Sequence, residues 1–337
     1  MQIKKFIPQS VKSKIIRYMP DKMYLSRLYK KFFGKSLDLE NPQLFNEKLN
    51  WLKLYDRRPK YTTMVDKYAA KEYVSKKIGE THIIPTLGVW KRFKDIDFDK
   101  LPKQFVLKCT HDSGGMVIVR DKNKMDKAQA DKKLSACLKS NFYYPAREWP
   151  YKNVAPRIIA EKFMENEDGS GLRHYKFYCF NGEPKFLYIS EGLENHATAK
   201  ISFVNLDWTF APYQRSDYKP FDTLPEKPKT FNEMIKYATI LSERIPFVRV
   251  DLYEINGIVY FSELTFTPCG GFMPFKDEKY DYDIGKYLKL PRGGYGYIVY
   301  FIMRKGDLLH DKTNSRKDRI FYISYSESHI TEAYYAA

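Results

Sequence analysis

Apolar and polar positions change rhythm along this chain, and the clearest rhythm lies between residues 247 and 271, FVRVDLYEINGIVYFSELTFTPCGG. Two runs rich in β-branched and aromatic residues meet at Asn256-Gly257, a strong short-range signal for a β-hairpin. Elsewhere the spacing shifts to three and four. Leu44, Phe45, Leu49, Leu52 and Leu54 predict an amphipathic helix over 42–56. Asp66 precedes KYAAKEYVSKKIG, where Tyr68, Ala69, Tyr73 and Val74 give an apolar stripe and Gly79 a stop, a helix of about twelve residues. HIIPTLGVW reads as a short strand broken at Pro85, and QFVLKCTHDSGGMVIVR as strand, glycine loop, strand. A Lys-rich helix is predicted from about 124 to 140 and another from about 230 to 243. Between them PRIIAEKFM and HYKFYCFNGEPKFLYIS supply strands, the second pair turning at Asn181-Gly182. Helices come first, then hairpins mixed with helices, which is an α+β order and not a repeating βαβ one.

The hairpin carries two acids, Asp251 and Glu263, one on each arm. A strict two-residue turn at Asn256-Gly257 puts them on opposite faces, because side chains alternate with period two. A three-residue loop over Asn256 to Ile258, with Gly257 left-handed and a bulge, puts them side by side, and this second geometry is the expectation. Paired carboxylates repel unless a cation separates them, and their oxygens are the hard ligands Mg²⁺ prefers. The alternative is that each faces solvent or an Arg partner.

Composition narrows the company the chain keeps. With 337 residues, two or three subdomains are expected, and 28 Tyr and 23 Phe mark a folded protein. A net charge of +17 points to a polyanionic partner: nucleic acid, nucleotide phosphates, an anionic polymer or an anionic membrane. Cys109, Cys137, Cys179 and Cys269 form no CxxC pair, so reduced, intracellular thiols are expected. No signal peptide is visible, since Phe6-Ile7 runs into Pro8, and the apolar run from Tyr295 to Met303 is too short to span a bilayer. A cytoplasmic location follows as an expectation. Ten Lys/Arg in the first 35 residues, with Val11, Ile15, Ile16 and Met19 as a short stripe, fit either an interfacial basic helix or a solvated one capping the core.

Lys108 precedes a loop, His111-Asp112-Ser113-Gly114-Gly115, whose glycines allow backbone N–H groups to approach a polyphosphate, although these residues by themselves read more readily as a plain β-hairpin. The spacing is not that of a Walker A loop. What stands out is the order in which Lys67, Lys108, the glycine loop, Glu161, Lys176, Asp251 and Glu263 follow one another.

In NPQLFNEKLNWLKLYD, VDKYAAKEYVSKKIGE, LPKQFVLKCTHDSGG, PRIIAEKFM, YKFYCFNGEPKF and RVDLYEINGIVYFSELTFTPCGGF, over roughly residues 40 to 292, the chain resembles the TupA-like family of the ATP-grasp superfamily, found in bacterial polysaccharide gene sets. The resemblance implies an ATP-grasp fold, with two α+β subdomains gripping ATP. The helical basic segment would span 1–80, the subdomain with the glycine lid 81–155, the subdomain with the metal-binding hairpin 156–292, and a C-terminal extension of unassigned role 293–337. It further implies ATP contacts from Lys67 and Lys108, a lid of His111, Ser113, Gly114 and Gly115 over the phosphates, and adenine and ribose contacts from Glu161, Lys162 and Phe163. Lys176 would neutralise the transferring phosphate. Asp251, Glu263 and Thr265 would hold Mg²⁺, with Glu263 bridging two ions; Thr265 stands where the superfamily commonly has Asn. His174 and Asn205 stand where acids are common.

The implied activity is that of a carboxylate–amine ligase working through an acyl phosphate, with Lys108, Lys176 and Glu263 as its catalytic groups. Its implied partners are an amino acid or other amine and an acidic glycan, or its nucleotide- or lipid-linked precursor, with a uronic acid as the concrete form. Arg147, Trp149, Lys152, Arg157, Trp208 and Arg215 are candidates for gripping that acceptor, and the basic N-terminus for peripheral contact with an anionic membrane. Two rivals stand beside this reading. A glycosyltransferase would use a DxD-like metal motif, formally matched by Asp95, Asp97 and Asp99. A nucleic-acid binder would use the basic charge and aromatics, but the lysines spread along the chain instead of clustering.

Overall fold

In the computed structural model the described residues are 17–169, 171–192 and 199–291, with the backbone of 321–326 and 329–335. Strands β1 (Thr86–Trp90), β2 (Phe105–Cys109), β3 (Met116–Val119) and β4 (Ile158–Lys162) form a four-stranded sheet in the order β1-β4-β2-β3. Strands β5 (His174–Phe180), β6 (Glu183–Glu191), β7 (Lys200–Asn205), β8 (Phe247–Ile255) and β9 (Ile258–Thr265) form a five-stranded sheet in the order β7-β6-β5-β8-β9. Every pairing within these sheets is antiparallel. The helices are α1 (Asp21–Phe33), α2 (Phe45–Tyr55), α3 (Lys60–Val65), α4 (Ala69–Ile78), α5 (Lys127–Leu138), α6 (Tyr143–Ala146), α7 (Phe231–Ser242) and α8 (Glu278–Gly285). The architecture is α+β. The chain divides into two compact units, Met1–Leu290 and Pro291–Ala337. In the second, Phe321–Ser326 and His329–Tyr335 pair as an antiparallel ribbon. Among the described residues no helix is long and apolar enough to cross a membrane.

The larger sheet separates two cores because its strands alternate. Tyr175, Phe177 and Cys179 of β5 and Val248, Val250 and Leu252 of β8 face α7 and the α3–α4 pair, packing with Met234, Leu241, Met64 and Val74. The opposite face presents Tyr178, Phe180, Tyr188 and Phe247 to Phe45, Leu49 and Leu52 of α2. The Phe45 and Phe247 rings meet edge to face with centroids 5.0 Å apart. Each such fully buried side chain contributes about 1.5–3 kcal/mol. Lys176, Arg249 and Asp251 follow the same period on this second face, so the aromatic layer continues into a charged one.

The helix predicted after Asp66 is shorter than expected and begins at Ala69, because a separate helix, α3, ends at Val65. Asp66 is extended there (φ −71°, ψ 111°) and accepts the Tyr68 N–H at 3.0 Å. Lys67 thus sits in the break between two helices. The basic helix α1 packs through Leu25 and Tyr29 against Leu54 and Phe272, so its described part caps the core. Of the interfacial stripe, Val11, Ile15 and Ile16 lie outside the described residues.

The hairpin corrects the expectation about its turn. Ile255 pairs with Ile258, and Asn256 (φ 51°) and Gly257 (φ 73°) are both left-handed, so the loop has two residues and not three. Asn-Gly tolerates this conformation, whose twist matches the flanking strands. Asp251 nevertheless lies directly opposite Glu263, because Leu252 pairs with Phe261 and Ser262 is an extra residue in β9. Asn166 clasps the turn, its side chain accepting from the Asn256 N–H at 3.1 Å. A parallel bridge between Ile83 and Phe261 ties the approach to the small sheet to β9.

Candidate functional site

The register of β5, β8 and β9 places Lys176, Asp251 and Glu263 in one row. Lys176 Nζ lies 2.9 Å from Asp251 Oδ2. Arg249, two residues before Asp251 on the same face, donates Nε to Oδ1 and Nη2 to Oδ2, both at 2.7 Å. The same Nη2 reaches Glu263 Oε1 at 3.3 Å and Thr265 Oγ1 at 3.0 Å, and Nη1 reaches the Tyr188 hydroxyl at 3.2 Å. Such a fork is the strong, directional form of an ion pair. Burial pushes the Asp251 carboxyl up, against the pull of Arg249 and Lys176. Burial also opposes ionisation of Glu263, but Lys176, Arg249 and Lys67 hold it down at about 2. The two acids differ in access: the Asp251 side chain is 0% exposed, that of Glu263 36%.

A second cluster faces the first. Glu161 of β4 receives Lys108 of β2 at 2.6 Å and Lys71 of α4 at 2.5 Å. Burial alone would raise the Glu161 carboxyl, yet Lys108 and Lys71 bring it to about 2. Burial pulls the Lys108 ammonium down, and Glu161, Tyr253 and Glu263 more than offset that, leaving it above the usual lysine range. Lys67 donates its ammonium to the Asp112 carbonyl and lines a cavity with Tyr151, Ser262 and Glu263. Lys67, Lys108 and Lys176 therefore all act on Glu263 electrostatically.

The glycine loop closes the β2–β3 hairpin, Cys109 N–H bonding the Gly115 carbonyl at 2.8 Å, with Gly114 at φ 108°. Ser113 and Gly114 are exposed. His111 is not: its ring is buried, with Nε2 3.0 Å from the Cys137 carbonyl of α5, so its side chain turns inward and does not line the outer face of the loop as expected. Thr265 likewise departs from the expected ligand set, because its hydroxyl accepts from Arg249. Lys162 is exposed, and Arg120 stacks 5.1 Å over the Phe163 ring. His174 packs on Tyr253 with centroids 4.6 Å apart; burial, then Lys176, depresses its imidazole to about 3, so it is neutral at physiological pH. Asn205 lies at the far edge of the sheet, bonding Thr209 Oγ1 at 3.0 Å.

Arg249 and Lys71 were not singled out from the sequence. Arg249 was signalled by its two-residue spacing from Asp251, whereas no local pattern marked Lys71. Glu148 was also missed: it accepts from the Thr267 hydroxyl, and burial pushes its carboxyl up to about 7. Among the proposed acceptor grips, Arg147 is fully buried and lies 3.1 Å from Asp21, so it is internal scaffolding. Arg157 pairs with Asp66, Arg215 with Asp217, and Trp208 packs on Phe231 while donating to the Pro225 carbonyl. Lys152 lies 5.1 Å over the Tyr143 ring, and Trp149 lines a cavity with Lys53, Tyr61 and Thr267. Asp95 and Asp97 of the DxD-like series pair with Arg92 and Lys100 on a surface segment.

The two hairpin acids offer oxygen donors only, which suit a hard cation. Asp251 and Thr265 are engaged by Arg249, and Glu263 is the carboxylate with exposed surface. The set fits Mg²⁺ at Glu263.

The model of the family described as TupA-like ATPgrasp matches residues 47–289. Among solved structures, D-alanine–D-alanine ligase from Bacillus anthracis complexed with ATP is similar at 16% identity, covering 60% of this chain and 55% of that one, with a TM-score of 0.35. The VanG D-Ala:D-Ser ligase from Enterococcus faecalis is similar at 13% identity over 71% and 62% of the two chains, TM-score 0.38. The ATP-grasp ligase PsnB, complexed with a precursor variant, Mg and ADP, is similar at 10% identity over 66% and 58%, TM-score 0.36. The chain thus spans less than two thirds of the length of these structures. No curated protein matches the sequence.

Proposed function

Because the chain belongs to the TupA-like family of the ATP-grasp superfamily, we propose that it is an ATP-dependent carboxylate–amine ligase, joining an amino acid to a uronic acid of a bacterial surface polysaccharide or its precursor. The observation that carries this reading is the row of Lys176, Asp251 and Glu263 across β5, β8 and β9, with Lys67 lining the cavity beside Glu263, the accessible carboxylate of the hairpin pair. Ammonium groups beside an acid pair suit a triphosphate and its cation.

In this reading Lys67 and Lys108 bind phosphate oxygens, and Glu161 holds Lys108 in place while Lys162 and Phe163 border the adenine. The backbone N–H groups of 113–115 approach the phosphates. Lys176 offsets the charge of the transferring phosphoryl group. Asp251 and Glu263 would hold Mg²⁺, which would supply neutralisation of the phosphate charge. The γ-phosphoryl group passes to the substrate carboxylate; the amine then attacks the acyl phosphate, releasing phosphate and forming the amide. The chain supplies positioning and electrostatics and forms no covalent bond.

The net charge of +17 supports an acidic acceptor and peripheral attachment of a cytoplasmic enzyme to an anionic membrane. The test is Mg²⁺-dependent ADP release, screened over UDP-hexuronic acids with each amino acid, for wild type and Glu263→Gln. Release that needs both co-substrates and falls roughly 10²- to 10³-fold in the variant is expected. Failure of the folded wild type to bind Mg-ATP overturns the reading.

A further inference from the structure

Behind the glycine loop lies a group of side chains that the ligase reading leaves idle. Cys109 ends β2, Asp112 sits in the loop and Cys137 lies near the end of α5; their two sulfurs and a carboxylate oxygen are all within 4.8 Å of one another. Cys109 and Asp112 flank the same turn, whereas Cys137 comes from α5, so the loop's own geometry does not explain its meeting with the other two. Cys109 and Asp112 are buried, and Cys137 is partly so. Asp112 is only 4% exposed, yet its Oδ1 has no hydrogen-bond partner. A carboxylate oxygen left without a partner at such depth is costly, which a bound cation would relieve. Gly115 keeps the space open, since a Cβ there would lie 2.5 Å from one Asp112 oxygen and 2.9 Å from Cys137 Sγ.

We propose that Cys109, Asp112 and Cys137 form a binding site for a thiophilic divalent cation of the Zn²⁺ class, distinct from the Mg²⁺ site at the hairpin. Two thiolates select Zn²⁺-like ions, whereas the all-oxygen donors at Asp251 and Glu263 select hard ones. Tetrahedral Zn²⁺ with Zn–S near 2.3 Å sets its sulfurs about 3.8 Å apart, so the present cluster needs to contract by no more than about 1 Å. Both thiols give up their protons to solvent on binding, and a water completes the fourth position. In the metal-free chain burial and the Asp112 carboxylate push both thiols up, with Lys67 and Lys133 only partly opposing them, so loss of the protons is coupled to metal binding. Bound metal would pin Asp112 to α5. Because the Asp112 carbonyl receives the Lys67 ammonium, it would fix the root of the glycine loop as well.

The test uses the full chain, reduced and chelator-treated, titrated with Co²⁺ as an optical probe in excess Mg²⁺. One equivalent should bind with a thiolate-to-metal charge-transfer band, and Zn²⁺ should displace it. Cys137→Ser, on a partly exposed helical position, should abolish the band while circular dichroism stays unchanged; Asp112→Asn should weaken binding at least tenfold. Glu263→Gln should leave the band intact, which separates this site from the hairpin. Co²⁺ binding without the band, a band that survives in Cys137→Ser, or a reduced protein that takes up neither ion overturns the proposal. So does a Cys109–Cys137 disulfide in a chain that binds no Zn²⁺ once reduced.

Discussion

Asp251 and Glu161 are both buried acids held between two cations, yet the two grips are built differently. The Asp251 partners belong to its own sheet: Arg249 on the same strand and Lys176 on the next. Glu161 takes Lys108 from a neighbouring strand but Lys71 from helix α4, so it ties a helix to the small sheet. Arg249 divides its donors among Asp251, Glu263, Thr265 and the Tyr188 hydroxyl, which a planar fork can do and an ammonium cannot. The consequence shows in the protons. Burial dominates at Asp251 and its carboxyl moves up, whereas the two ammonium groups win at Glu161 and bring it to about 2. One cluster is a framework that positions Glu263; the other is a tether that depends on charge.

Removing Asp251 should break that contrast most severely. Asp251→Ala leaves Arg249 and Lys176 buried without their anion, and a loss of about 3–5 kcal/mol is expected from denaturant midpoints. Next comes Glu263→Gln, where turnover measured as ADP release should fall roughly 10²- to 10³-fold while stability changes by less than about 1 kcal/mol, because that side chain is partly exposed. If the stability losses of these two variants were equal, the division between framework and functional acid would fail.

The third effect is one of pH. With its folded pKa near 2 against an ordinary 4.5, Glu161 stays ionised in the folded chain while the unfolded chain takes up a proton. Its contribution is complete above about pH 5 and is lost as pH falls toward 2, about 3 kcal/mol in all. Glu161→Gln should flatten that part of a stability–pH profile; Asp251→Asn, whose carboxyl moves the other way, should not. The smallest effect belongs to the turn. Gly257→Val forces a β-branched residue to φ 73° and should cost about 1–3 kcal/mol in a thermal melt, with Mg-ATP affinity unchanged.

Local pattern carried the strands and the acid pair into view. The alternation around Asp251 and the Asn256-Gly257 dipeptide are short-range signals, and the even spacing of Asp251 and Glu263 required one irregularity somewhere in the hairpin for the two to meet. It did not locate it, because a longer loop and an extra strand residue satisfy parity equally. The preference of Asn-Gly for a two-residue turn decided the matter in favour of Ser262. Arg249 was readable from its spacing alone. Lys71 was not, since its meeting with Glu161 depends on how α4 sits against β4, which no window of sequence contains. The inward turn of His111 is of the same kind: it answers to a carbonyl 26 residues away on α5.

Ser262 also makes the hairpin unequal in what it can lose. Phe261 and Leu264 are three apart and both enter the core beneath α7, an arrangement possible only because two residues stand between them on the other side. Deleting Ser262 would restore an unbroken ladder with Asp251 still opposite the glutamate and every apolar neighbour still facing its core. Deleting Tyr260 or Leu264 would force part of β9 to exchange inside for outside. The second arm therefore holds one dispensable residue, and it is the small polar one next to the acid.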